Sequence, residues 1–213
     1  MGTQSAQKRL ETAKLYLVCD ALPGGRSVDE VVEAALRGGV DIVQLRDKER
    51  TDAQLAQPAE TIRKLCNDHE ALFIVNDYPD LAVKFDADGV HLGQEDMSVA
   101  QARMIVGPER LIGLSTHTSM QVDDANASGA DYIGVGPVYA TPTKEGRTAV
   151  GVELVQYASQ NARLPFFAIG GIDTHNAPVV SAAGAKRIAV VRAIAKSDDP
   201  LQAASELRKL LED

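Results

Sequence analysis

The sequence predicts a (β/α)8 barrel, and three observations carry that expectation. Short runs rich in Val, Ile and Leu alternate with segments of helical periodicity along the whole chain, the pattern of repeated βα units around a parallel sheet. Eight such runs fit into 213 residues, a length that one core of this kind fills. No low-complexity tract, Gly/Ser linker or break in composition divides the chain, so one domain from end to end is expected. A doubly wound open sheet would give a similar alternation and ranks second.

The strands are expected at "KLYLVCD", "DIVQLR", "ALFIVND", "GVHLG", "LIGLSTH", "YIGVGPV", "PFFAIGG" and "RIAVVRA". Helices follow them. "VDEVVEAALRG" stops at Gly38 and Gly39, "SVAQARMIVG" starts from a Ser98 cap, and "DPLQAASELRKLLED" closes the chain. The least marked helix is the short one near "DLAVKF". Residues 1–13 are expected to be a loose N-terminal extension, or else to pack across the barrel floor.

Composition excludes several functions. A formal net charge of -8, with no Lys/Arg-rich run and no row of exposed aromatics, speaks against nucleic acid. No apolar run is long enough for a bilayer, and "MGTQSAQKRL" lacks the apolar stretch of a secretory signal. The two cysteines, Cys19 and Cys66, show neither disulfide nor zinc spacing, which fits a reducing, cytoplasmic setting. An anionic ligand would need a local cluster of positive charge, and Arg46, Lys48, Lys144 and Arg192 are the candidates.

In a barrel, reactive groups come from the C-terminal ends of the strands. Strand two runs Val43, Gln44, Leu45, Arg46, Asp47, Lys48, and period-two alternation turns Gln44, Arg46 and Lys48 to one face. Such a ladder suits phosphate or diphosphate oxygens; an ion pair closing a polar layer of the barrel is the alternative. Asp77 and Asp96 fall at adjacent strand ends, where two carboxylates could hold Mg2+, although Asp96 could instead cap the helix near Ser98. Gly134 and Gly136 either leave room for a flat ring or allow close strand packing. Gly170 and Gly171, with Val191 and Arg192, lie where this fold gathers backbone amides around phosphate, yet a Gly-Gly also serves any tight turn.

His91 and His117 fall on or near strands four and five, where an isolated histidine is more often packed than catalytic. Ser115 precedes His117 by two residues, but no acid completes a hydrolase triad.

The motifs "VQLRDK", "VND", "GVHLGQEDM", "GLSTH", "GADYIGVGPVYATPTK", "AIGGI" and "AVVRAI" occur in this order. Together, from strand one to the last helix, they resemble the thiamine phosphate synthase family. The resemblance implies a Mg2+-assisted, dissociative substitution that joins a hydroxymethylpyrimidine diphosphate to a thiazole phosphate and releases diphosphate. It also implies roles. Gln44, Arg46 and Lys48, with Asn76 beside them, match the diphosphate motif, and Asp77 and Asp96 match the magnesium ligands. Ser115 matches a residue near the reacting groups, while Thr141, Thr143 and Lys144 match the loop that contacts the phosphates. Arg46, Lys48, Ser115 and Lys144 would then act in catalysis.

Gly171, Val191 and Arg192 match the region that cradles the thiazole phosphate. Arg192 departs from the pattern, which often has a small hydroxyl residue there, so its side-chain role stays open. The partners implied are these two small molecules, without nucleic acid or membrane, and self-association into a homo-oligomer is left open. A thiazole tautomerase of the same fold, with His117 as proton shuttle, is the alternative function. A protein that binds a thiamine precursor without turnover is another.

Overall fold

A computed structural model describes residues 5–141 and 148–212. Eight parallel strands close in sequence order: β1 (Leu15–Cys19), β2 (Ile42–Leu45), β3 (Leu72–Asn76), β4 (Gly89–Leu92), β5 (Leu111–Thr116), β6 (Tyr132–Val135), β7 (Phe166–Ile169) and β8 (Ile188–Val190). The expected barrel is therefore present and the open sheet is not. The helices are α1 (Ala6–Thr12), α2 (Val28–Arg37), α3 (Asp52–Asp68), α4 (Pro79–Lys84), α5 (Val99–Val106), α6 (Ser119–Ala125), α7 (Gly151–Asn161), α8 (Ala177–Ala182), α9 (Arg192–Ala195) and α10 (Pro200–Lys209).

Alternation along each strand builds two cores. Leu15, Leu17 and Cys19 of β1 join the layer between barrel and helices, whereas Tyr16 and Val18 join Ile42, Leu72, Ile74 and Phe167 inside the barrel. Both strand faces are thus buried, which is why the strands read as nearly continuous apolar runs. The two cysteines are free and buried, and burial pushes the Cys66 thiol up to about 12. No helix among the described residues is long and apolar enough to cross a membrane.

Of the two expectations for the N-terminus, packing across the barrel floor describes residues 6–12, and a loose extension does not. Residues 6–12 form α1, whose Leu10 is fully buried in the inner core. Arg9 bonds the Ala71 carbonyl at 2.7 Å and the Asp88 carboxylate at 2.5 Å, and Arg63 reaches the other oxygen of Asp88 at 2.8 Å. The helix plugs the N-terminal ends of the strands because an apolar side chain and an ion pair both fasten it there.

Two strand ends also differ from expectation. Pro137 carries no N–H, so the pairing of β6 with β7 is interrupted after Val135 and resumes as Val138 and Tyr139 donating to the carbonyls of Ile169 and Gly170. The sequence places Val191 and Arg192 on strand eight. The structure instead makes Val191 the N-cap of α9 and Arg192 its first residue, with Ala195 N donating to Val191 O at 3.0 Å. The buried Ile194 and Ala195 draw the chain into that turn.

Candidate active site

The strand C-termini surround a cavity of about 620 Å3. Gln44, Arg46, Lys48, Asn76, Asp77, Asp96, Ser115, Thr141, Gly171, Val191 and Arg192 all line it, so most of the sequence-derived site residues meet in one place. Thr143 and Lys144 lie outside the described residues.

Only Gln44 of the cationic ladder belongs to β2, and it is buried. Arg46 still extends the pairing, since its N–H donates to the Cys19 carbonyl at 2.8 Å, and Lys48 follows in the loop. The Lys48 ammonium lies 3.4 Å from Asp77 with its side chain 61% exposed. The ion-pair alternative therefore describes part of Lys48. Among the described residues Arg46 makes no ion pair or side-chain hydrogen bond, which leaves its fork directed to the cavity.

Asp77 follows β3 with a positive φ of 64°, a left-handed conformation that Asp tolerates better than most residues. Its N–H donates to the His91 carbonyl at 2.8 Å, which carries the chain over the end of β4. Asp96 closes the turn after β4 by accepting from Gly93 N at 2.7 Å. It does not cap α5. Ser98 is the N-cap, accepting from Gln101 N while the Gln101 side chain reaches back to Ser98 N.

Burial first, and then the adjacent Asp96 carboxylate, push the Asp77 carboxyl above its ordinary value, while Lys48 acts in the opposite sense. Two carboxylates forced together in this way present the hard oxygen donors that Mg2+ favours. No group of three or more His, Cys, Asp or Glu side chains among the described residues could hold a metal by itself. The Asp77–Asp96 pair fits an ion that takes two protein carboxylates and completes its shell with water and ligand phosphate.

The two inward-facing glycines of the sixth unit turn out to differ. A Cβ on Gly134 would point to the His91 ring at ordinary contact distance, so this glycine opens interior space. A Cβ on Gly136 would run into the Ile169 carbonyl, so close strand packing accounts for it. Gly170 and Gly171 take φ of 105° and 67° and pack against Pro137 and Tyr139, which explains both without a ligand.

The histidines are more engaged than their isolation in the sequence suggests. His91 Nε2 lies 3.0 Å from Ser115 Oγ and its Nδ1 lies 3.2 Å from the Tyr132 hydroxyl. Ser115 thus pairs with His91 rather than with His117, and the third member is a phenol, not a carboxylate. His117 Nδ1 lies 2.5 Å from the Gly136 carbonyl at the cavity wall. Tyr16 and Tyr132 also line the cavity and were not singled out by the sequence, since a tyrosine in an apolar strand reads as core. Inward alternation with Gln44 and His91 is the signal that could have found them.

The model of the thiamine monophosphate synthase family matches residues 15–194. The chain belongs to that family. A thiamine-phosphate synthase from Synechocystis sp. is 50% identical over 97% of the chain, and the chain covers 59% of that protein. One from Thermobifida fusca is 46% identical, with 98% of the chain and 96% of the relative covered. The chain thus spans less than two thirds of the length of the Synechocystis and Nostoc relatives, 59% and 56%, and nearly all of the Thermobifida fusca one. A solved thiamine phosphate pyrophosphorylase from Pyrococcus furiosus superposes with a TM-score of 0.86 at 34% identity, with 97% of each chain covered. For this member of the thiamine monophosphate synthase family, the matched segment takes in all eight strands and the described cavity wall.

Proposed function

We propose that this chain is a thiamine phosphate synthase, which condenses hydroxymethylpyrimidine diphosphate with thiazole phosphate to thiamine phosphate and diphosphate. The observation that carries this reading is one cavity that sets Arg46 and Lys48 beside the Asp77–Asp96 pair. The family membership and the names of its relatives support it. Small anionic substrates and a reducing cytoplasm belong to the same proposal.

The attacking thiazole nitrogen carries no proton, so the reaction needs no general base. What it needs is stabilisation of charge on the departing diphosphate as the bond from carbon to oxygen breaks. Arg46 offers a planar fork for two of those oxygens and Lys48 a mobile point charge. Asp77 and Asp96 would hold Mg2+, which when bound supplies positive charge to the leaving group. Thr141 and, from the sequence, Thr143 and Lys144 would hold phosphate from the loop after β6, with Asn76 beside the diphosphate. Gly171, Val191 and the backbone of Arg192 would hold the thiazole phosphate. Ser115, buried next to His91, would orient the pyrimidine. The wall keeps these groups partly away from water, where their charges act more strongly.

The test is an incubation with both substrates, with and without Mg2+, reading thiamine phosphate by mass and by fluorescence after oxidation. Metal-dependent product is expected. A folded sample that binds either substrate and yields no product would sink the synthase reading and favour a tautomerase or a binding protein.

A further inference from the structure

On the cavity wall, five side chains form a largely buried polar path that crosses the barrel interior. Gln44 Nε2 on β2 donates to the Tyr16 hydroxyl on β1 at 2.6 Å. Tyr16 and Tyr132, on β1 and β6, bring their hydroxyls to 3.0 Å. From Tyr132 the path runs to His91 Nδ1 on β4 at 3.2 Å, and from His91 Nε2 to Ser115 Oγ on β5 at 3.0 Å. Tyr16, Tyr132, Gln44 and Ser115 are all buried, so each proton needs a partner within the protein or the ligand.

Each hydroxyl has one hydrogen to give, and one direction along these contacts uses every one of them. The Gln44 amide donates to Tyr16, so the Tyr16 hydrogen goes to the Tyr132 oxygen. The Tyr132 hydrogen then goes to His91 Nδ1. A neutral imidazole that accepts at Nδ1 carries its hydrogen at Nε2, and this one points to Ser115 Oγ. The Ser115 hydrogen is left to face the cavity that Ser115 lines.

The sequence makes room for the central link. Gly113 on β5 pairs with His91 on one side and Tyr132 on the other. A Cβ at Gly113 would overlap both His91 Nδ1 and the Tyr132 hydroxyl. The glycine therefore clears the space through which these two side chains meet across a strand.

We propose that Tyr132, directed by Gln44 through Tyr16, is a positioning residue that holds His91 in the Nε2-protonated tautomer and makes Ser115 a hydrogen-bond donor to the ligand. The ligand then presents an acceptor atom, such as an aromatic ring nitrogen, to Ser115. That last clause rests on the synthase reading. The tautomer does not.

The experiment is long-range proton–nitrogen NMR of the 15N-labelled, ligand-free protein at about pH 8, above the ordinary imidazole value. His91 is expected to carry its hydrogen on Nε2 alone. In Tyr132→Phe, and in Tyr16→Phe, which removes the hydroxyl that Tyr132 meets at 3.0 Å, the His91 signals should shift toward a mixture of tautomers. Tyr132→Phe should raise KM for the pyrimidine diphosphate about three- to tenfold, the scale of one hydrogen bond, and leave KM for the thiazole phosphate unchanged. Wild-type His91 protonated at Nδ1 or at both nitrogens, or a tautomer that survives Tyr132→Phe, would overturn the proposal. An altered tautomer with an unchanged KM would overturn its ligand-facing half. An inactive wild type with the expected tautomer would instead count against the synthase reading alone.

Discussion

The two ends of the barrel handle charge in opposite ways. At the floor, carboxylates meet guanidinium groups: Asp88 lies between Arg9 and Arg63, and Asp41 pairs with Arg208. At the mouth, Asp77 is held close to a second carboxylate in a left-handed backbone conformation, and the Lys48 that offsets it extends largely into solvent. Charge at the floor is balanced within the protein, so it contributes to folding. Charge at the mouth is left in partial conflict, as expected where the remaining partners arrive with a ligand. Stability and activity should therefore separate along the barrel axis.

The largest effect should come from Asp88→Ala. Its carboxylate takes Arg9, Arg63 and the Phe73 N–H, and removing it leaves two partly buried guanidinium groups without their counter-charge. A loss of about 3–5 kcal/mol in urea unfolding is expected, with turnover per folded molecule unchanged. A loss below about 1 kcal/mol would put the floor pairs in the class of surface ion pairs.

Asp77→Ala should invert that result. Turnover should fall at least about a hundredfold, or about 2.7 kcal/mol of barrier, while Tm holds or rises because a like-charge conflict is relieved. Near-normal turnover at saturating Mg2+ would remove Asp77 from the metal site.

For Lys144→Ala, about a tenfold fall in kcat/KM is expected, the scale of one charge-assisted contact. An unchanged value would take that loop out of the mechanism. The smallest effect should come from Ser98→Ala, which removes the N-cap of α5 and should cost about 1 kcal/mol of stability. Turnover should stay normal, although Asp96 is two residues away. A fall in turnover without a fall in stability would mean that the capping box also holds Asp96 in place.

The same division decides what could be read from sequence. The strands were legible because each one is apolar on both faces, and the ladder Gln44, Arg46, Lys48 because alternation carries a strand's direction past its end. The fate of Asp96 was not legible, since a carboxylate two residues before a Ser-x-x-Gln pattern serves equally well as cap or ligand until the turn geometry is known. Nor was the end of β8, where burial of Ile194 and Ala195 decides between strand and helix. The link from Gln44 to Ser115 depends on pairing among five strands, and contacts so far apart in sequence leave no local pattern. Gly113, which makes that link possible, reads in isolation as any strand glycine.

The position of α1 has a practical consequence for anyone who builds with this chain. The helix seals the end of the barrel opposite the cavity, so a partner protein or affinity tag joined ahead of Ser5 would set out from the closed face. Such fusions should leave substrate access unobstructed, whereas trimming the chain back to Leu15 would uncork the interior.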